Sequence, residues 1–255
     1  MDRRAHILEL ARRDGRVTVE ALSEGLRVSP HTIRRDINQL CEEAKLRRLH
    51  GGAEFIGDRI NLPYGQRAVM NYETKRSMAG AVAARIPDGA TVFISIGTTL
   101  TLVAEALAGH EGLTVITNNM HAALALSSNE GNRLILPGGE LRLPDLDFID
   151  AEASKLFSRY RADFAIYGVG GIDPDGSLLD FHDDEVRARE HMRRNARQSI
   201  LIADRTKFGR RAVAVGGRLT ESDLVVIDDL PGSEHRSLLS GLYGRLVVSS
   251  RECAA

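Results

Sequence analysis

His31, Arg34, Arg35 and Asn38 share one face if residues 29–40 form a helix. That face would carry two guanidiniums, an imidazole and an amide, groups that hydrogen-bond base edges and phosphates. The opposite face carries Ile33, Ile37 and Leu40 at i, i+4, i+7 spacing, the pattern of a buried stripe. Ser29 is a good N-cap, and Pro30 suits the first helical position, where a missing N–H costs nothing. The stretch reads as a recognition helix for a DNA major groove, with Ser29 and Thr32 beside the DNA at its start. The plainer alternative is a solvated, charged surface helix.

A second set of polar residues lies much further along the chain. From residue 90, apolar runs at 92–96, 113–116, 134–136, 164–167, 200–202, 224–227 and 246–248 alternate with helical segments. Near-continuous apolar strands separated by helices imply a mostly parallel sheet buried on both faces. Ligands of such sheets bind beyond the C-terminal strand ends. The loops expected there are Gly97-Thr98-Thr99, Asn118-Asn119, Gly138-Gly139, Gly170-Gly171 and Asp204 through Lys207. Gly97, Thr98 and Thr99 at a helix start offer backbone N–H groups, two hydroxyls and the positive end of a helix dipole, a cradle for phosphate. Asn118 and Asn119 suit ligand hydroxyls, and Lys207 beside Asp204 would supply a fixed charge. Taken singly, these residues read equally well as helix caps and a surface lysine. Taken together, they point to a small phosphorylated polyol. No Walker lysine motif, no G-x-G-x-x-G opening a first strand and no metal-ligand spacing among the eight His are present, so nucleotides, metals and cofactors are not indicated.

The elements that position the first group are short and local. Residues 3–13 read as a helix with Ile7, Leu10 and Ala11 inward, ended by Asp14-Gly15. Val17-Thr18-Val19 is β-prone, and Thr18 can cap a second helix at 19–25. Leu22, Leu26 and Val28 are expected to pack against Ile33. Helix, tight turn and capped helix at this spacing is a helix-turn-helix signature. Residues 45–53, Lys-Leu-Arg-Arg-Leu-His-Gly-Gly-Ala, follow as the wing of a winged helix. Arg47, Arg48 and His50 are then available for phosphate or minor groove, the plainer alternative being a basic solvated hairpin.

Charge is divided unevenly. The whole chain of 255 residues has a net charge of −1, but residues 1–53 carry +3 and the remainder −4. A basic head on an acidic body implies that only the head touches phosphate backbone. Hydrophobic residues at 43% and charged ones at 27% are ordinary for a globular protein. No apolar run is long enough to span a bilayer, and the N-terminus has no signal-peptide pattern. Cys41 and Cys253 are far apart. A reduced, cytoplasmic setting is the expectation.

The head resembles the N-terminal domain of the DeoR-type family of bacterial transcriptional repressors. The residues that carry the resemblance are Val28-Ser29, Thr32 through Asp36 and His50 through Ala53. Ala44 departs from the family, which often has Gly before the wing. The body is similar to the sensor domain of the same family through residues 94–99, 115–119, 138–142, 170–173, 175–179 and 206–210. The resemblance implies a winged helix-turn-helix followed by a mostly parallel α/β sensor domain like that of sugar-phosphate isomerases and CoA transferases. It also implies double-stranded operator DNA as partner, a homodimer or homotetramer, and release from DNA on binding effector. The Gly-Ser-Leu-Leu and Lys-Phe-Gly-Arg blocks make glycerol 3-phosphate, or a related phosphorylated sugar, the implied effector. Residues 143–153, Leu-Pro-Asp-Leu-Asp-Phe-Ile-Asp-Ala-Glu-Ala, replace the family's usual Gly-Gly-containing stretch with acidic and bulky residues.

The division expected is a DNA-binding domain at 1–57, a linker at 58–72 and an effector-sensing domain at 73–255. The rival reading is an isomerase of the same fold using Asp204, Glu185 or Asp173 as general base. A winged helix has no role in such catalysis, and fold alone implies no activity. A third reading, a DNA-binding protein whose body only oligomerises, leaves the polar strand-end loops without a purpose.

Overall fold

The computed structural model describes residues 3–14, 16–42, 45–55, 61–143, 145–232 and 235–252. Gly15, Ala44, Pro144, Cys253 and the domain boundary expected at 57–58 lie outside them. The chain forms two compact units, Met1–Ile60 with Val69–Asn71, and Asn61–Ala68 with Tyr72–Ala255.

In the first unit, α1 (Arg3–Asp14) buries Ile7 and Ala11, and β1 is Arg16–Thr18. The Thr18 hydroxyl caps α2 (Val19–Leu26), accepting the Ala21 N–H at 3.1 Å. Arg27 ends α2 at φ 54°, and the Ser23 hydroxyl donates to the Val28 carbonyl at 2.6 Å, closing the turn. Next, α3 (Pro30–Glu42) begins where Ser29 Oγ accepts the Thr32 N–H at 3.2 Å. Ile33, Ile37 and Leu40 of α3 pack with Ile7, Leu22 and Leu46 in one core. Asp36 is also buried and is gripped by Arg3 through two bonds of 2.5 and 3.2 Å, which ties α1 to α3. Strands β2 (Leu46–Leu49) and β3 (Gly52–Phe55) form an antiparallel hairpin, with β1 on the outer side of β3. A Cβ at Gly52 would lie 2.1 Å from the Val17 carbonyl oxygen, so only glycine lets β1 approach the hairpin this closely.

The second unit opens with α4 (Tyr64–Val69) and α5 (Tyr72–Ala83). Part of the stretch expected as linker is therefore helical. Then β4 (Thr91–Ile94), α6 (Thr98–Ala106), β5 (Thr114–Thr117), α7 (Met120–Leu126) and β6 (Arg133–Ile135) follow as successive βα units. After α8 (Ala151–Leu156) come β7 (Ala162–Tyr167), β8 (Gly171–Ile172), β9 (Ser177–Asp180), α9 (Asp183–Arg194) and β10 (Ala196–Ile202). The chain closes with β11 (Ala214–Arg218), β12 (Leu224–Ile227), α10 (Arg236–Ser240), β13 (Leu246–Val248) and α11 (Ser249–Glu252).

Seven strands form one sheet, in the order β13-β12-β10-β7-β4-β5-β6, with every pairing parallel. Consecutive strand residues point to opposite faces. Val92, Ile94, Ile166, Ile200, Ile202 and Val226 join Met78, Leu100 and Val103 in the core under α5 and α6. Their neighbours Phe93, Ala165, Tyr167, Leu201, Val225 and Ile227 join Phe157 and Met192 in the core under α8 and α9. Both faces are apolar, which is why the strands read as unbroken apolar runs.

Strands β8, β9 and β11 form a separate antiparallel sheet that the apolar runs did not show. They are too short to carry a period of their own. The order of the large sheet reverses between β4 and β7, since β5 and β6 lie to one side of β4 and β7, β10, β12 and β13 to the other. A crevice is expected beyond the strand ends at such a reversal.

Candidate DNA-contacting helix and anion site

On α3 of the first unit, His31, Arg34, Arg35 and Asn38 are exposed and opposite the buried Ile33, Ile37 and Leu40. Among the described residues neither arginine has an ion-pair partner. Ser29 is occupied as the cap, and its hydroxyl shares a 2.9 Å hydrogen bond with that of Thr32. These two residues set where the helix begins.

The wing differs from expectation at Arg47. Register places Arg47 opposite Glu54, and its guanidinium pairs with that carboxylate, which Arg16 also reaches at 3.2 Å. The two guanidiniums hold the Glu54 carboxyl below the usual carboxylate range. Arg47 is thus committed within the sheet. Arg48 points the other way and is exposed, as is His50 in the turn. Arg48→Ala is expected to weaken specific and non-specific DNA binding alike and to reduce the salt slope of log K by about one unit. Arg47→Ala should change it less. A titration of DNA affinity against salt concentration decides, and an unchanged slope for Arg48→Ala removes it from the interface.

In the second unit, Gly97 takes φ 110° at the start of α6, leaving the first N–H groups of the helix without a side-chain cap. Thr98 is buried, and Thr99 is half-buried with its hydroxyl unpartnered among the described residues. The Thr98 hydroxyl accepts a 3.2 Å hydrogen bond from Lys75 Nζ on α5, a residue the sequence reading passed over. Lys75 is buried and also donates to the Arg67 carbonyl at 2.6 Å. Burial pushes its pKa down to about 8, with Asp204 acting to raise it and Arg67 and Arg210 to lower it.

Lys207 ends a short 3-10 turn, Arg205–Lys207, beyond β10. Its ammonium makes no hydrogen bond to the described residues. Burial and then Arg210 push its pKa down to about 7, and Lys75 acts in the same direction. Asp204 is buried and spends one oxygen on the backbone and hydroxyl of Thr206. Two lysines with lowered pKa values near an arginine, with Asp204 the one carboxylate that acts on both, form a site with an excess of positive charge.

Several expected ligand contacts are turned inward instead. Asn119 caps α7, accepting the Ala122 N–H at 3.2 Å, and its amide donates to the Ser95 carbonyl at 3.3 Å. Asn118 donates to the Phe148 carbonyl at 2.8 Å. Both asparagines are 1% exposed, and these bonds brace the strand ends, while Asn118 Oδ1 is left without a hydrogen-bond partner among the described residues. Gly170 and Gly171 are buried as well. A Cβ at Gly171 would lie 1.9 Å from the Arg210 carbonyl oxygen, so this pair permits close packing of the β8–β9 hairpin on the loop that carries Arg210. Gly138 and Gly139 are exposed, with Gly139 at φ 126° against Asp150. The anion site thus brings together Gly97, Thr98, Thr99, Asp204 and Lys207 with Lys75 and Arg210. The two asparagines and the glycine pair Gly170-Gly171 are buried in the structure. Of the proposed general bases, Asp204 is a turn cap, and Glu185 is held by Arg142 at 3.3 Å and the Phe181 N–H at 3.2 Å.

Residues 3–59 match the family described as the DeoR-like helix-turn-helix domain, and residues 70–229 match the DeoR C terminal sensor domain. The chain belongs to the DeoR family. It is 43% identical to the glycerol-3-phosphate regulon repressor of Escherichia coli (strain K12), over 88% of this chain and 89% of that protein. It is 36% identical to the HTH-type transcriptional repressor CsqR of the same organism, over 98% of this chain and 96% of that one. Among solved structures it resembles ribose 5-phosphate isomerase from Plasmodium falciparum, with a TM-score of 0.39, 15% identity and coverage of 53% of this chain and 52% of that one. This DeoR-family chain is a DNA-binding transcriptional repressor and not an enzyme. Among the described residues no cluster of His, Cys, Asp and Glu could hold a metal ion, and no helix is long and apolar enough to cross a membrane.

Proposed function

We propose that this repressor controls a sugar or polyol catabolic operon and leaves its operator on binding a phosphorylated polyol, glycerol 3-phosphate foremost. The observation that carries this reading is the lysine pair. Lys75 donates to Thr98 at the uncapped start of α6, where the sheet order reverses, Lys207 acts electrostatically on Lys75, and both have lowered pKa values. A phosphate dianion there would accept from both ammoniums and the α6 N–H groups and would restore the missing negative charge. A relative named as a glycerol-3-phosphate regulon repressor supports the choice of ester. The protein would work as a homodimer or homotetramer, so that paired recognition helices meet paired half-sites. Effector then shifts a two-state population, and a near-complete switch needs a roughly 10⁴-fold preference between states.

Calorimetric titration with glycerol 3-phosphate, inorganic phosphate and glycerol tests the reading. Glycerol 3-phosphate should bind and release an operator that the chain selects from a random DNA pool. Glycerol should do neither. Equal binding of glycerol, or retention of DNA at saturating ester, overturns it.

The site also predicts a pH dependence. The second phosphate ionisation, near pH 6, is largely complete by pH 7 and gains little above it. Lys207 and Lys75, with pKa values lowered to about 7 and about 8, lose their protons as pH rises further. Binding the dianion favours the charged lysines, so affinity for glycerol 3-phosphate is expected to fall at least about tenfold between pH 7 and pH 9. Proton uptake on binding should appear as buffer-dependent heat. A flat profile would separate the lysines from the ligand.

A further inference from the structure

Helix α4 is six residues long and fully buries none of its side chains. So short a helix has no independent stability, and its place depends on its anchors. Those anchors are polar, and they end around the anion site. The Tyr64 hydroxyl shares a 2.8 Å hydrogen bond with the Thr101 hydroxyl, which in turn donates to the Gly97 carbonyl at 3.3 Å. The Tyr64 ring stacks on His121 of α7, with centroids 4.0 Å apart and planes 12° from parallel. Arg67 pairs with Asp145 at 2.6 Å and donates to the Leu62 carbonyl at 2.7 Å. The Arg67 carbonyl accepts from Lys75, the same ammonium that holds Thr98 at the start of α6. One cation therefore ties α4 to the phosphate cradle.

The chain also changes unit three times around this helix. It leaves the first unit at Ile60–Asn61, returns at Ala68–Val69 and leaves again at Asn71–Tyr72. The segment anchored to the site is the covalent path to the DNA-binding unit.

We propose that α4 is the coupling element of the switch, with Tyr64 and Arg67 as the positioning residues that report occupancy of the anion site to the DNA-binding unit. The proposal rests on the phosphate reading given above. A dianion competes for the Lys75 ammonium, which now divides itself between Arg67 and Thr98. This competition loosens what holds α4, and α4 has no fully buried side chain to keep it in place. Ligand binding thereby biases a two-state segment, with no need for direct contact between effector and the DNA-binding unit.

The test uses full-length Tyr64→Phe and Arg67→Gln, with Arg67→Lys as the conservative rescue. Glycerol 3-phosphate affinity is measured by calorimetry. Affinity for the selected operator is measured without and with saturating ester. Wild-type operator affinity is expected to fall at least tenfold with ester. Arg67→Gln and Tyr64→Phe should bind ester within about threefold of wild type but change operator affinity less than threefold on binding it. Arg67→Lys should recover most of the response. Hydrogen exchange on the wild-type chain gives a readout independent of variant folding, and protection across residues 61–71 should change by at least threefold when ester is added. Variants that respond like wild type, or unaltered exchange at 61–71, overturn the coupling role while leaving the anion site standing. Loss of ester binding in Arg67→Gln also overturns it, by making Arg67 a ligand contact. A wild-type chain that binds neither glycerol 3-phosphate nor inorganic phosphate overturns both proposals together.

Discussion

Lys207→Ala is expected to leave operator binding intact, and Lys207→Ala and Lys75→Ala are each expected to weaken glycerol 3-phosphate roughly ten- to a hundredfold. A charge-assisted hydrogen bond to phosphate is worth about 1.5–3 kcal/mol, which sets that range. Lys207 makes no hydrogen bond to the described residues, so its loss costs the empty protein little. Lys75 is different. Its removal leaves the Arg67 carbonyl and the Thr98 hydroxyl without their partner. The thermal midpoint of Lys75→Ala should therefore fall, and that of Lys207→Ala should hold, since the half-buried Lys207 side chain gives up no hydrogen bond. Thr99→Val keeps the shape and deletes one half-buried hydroxyl, so its effect on the ester should be smaller than that of either lysine. Operator binding by each variant, with and without ester, is the measurement. If both lysine variants still release DNA at wild-type ester concentrations, the ligand is not gripped through its phosphate at this site.

Arg34→Ala or Arg35→Ala should cost operator affinity about 1–3 kcal/mol and relax selectivity at one base pair. Both arginines are exposed on the face of α3 opposite its buried stripe, and neither is engaged by another described side chain. A guanidinium in that position can take a guanine through two parallel hydrogen bonds. The capped start and the Arg3–Asp36 pair hold the helix in register for that contact. Binding to a panel of operators changed one base pair at a time tells a base reader from a phosphate contact. A reader loses discrimination at one position, whereas a phosphate contact loses affinity equally across the panel. Equal loss for both arginines would move the reading of sequence to His31 or Asn38.

The recognition helix was legible from sequence because everything that defines it is local. Its cap, its first-turn proline and its i, i+4, i+7 stripe all lie within residues 29–40. The large sheet was legible for a related reason. Burial on both faces makes each strand an unbroken apolar run, and the helices between the runs force parallel pairing. The loop Gly97-Thr98-Thr99 followed from the same βα rhythm. Charge partnership was not legible, because it depends on which elements lie side by side. Lys75 sits 23 residues before Thr98 and reads as one polar residue on a helix face. Only the packing of α5 beside α6 buries its ammonium against the cradle. Asn118 and Asn119 looked like ligand donors because sequence does not tell a cap turned inward from an amide turned outward. Arg47 looked free until strand register set Glu54 opposite it. Residue types and periodicity determined the two-part plan and the class of site. Tertiary packing decided which side chains surround the start of α6, since it alone sets the burial and the neighbouring charges that lower the pKa values of Lys75 and Lys207.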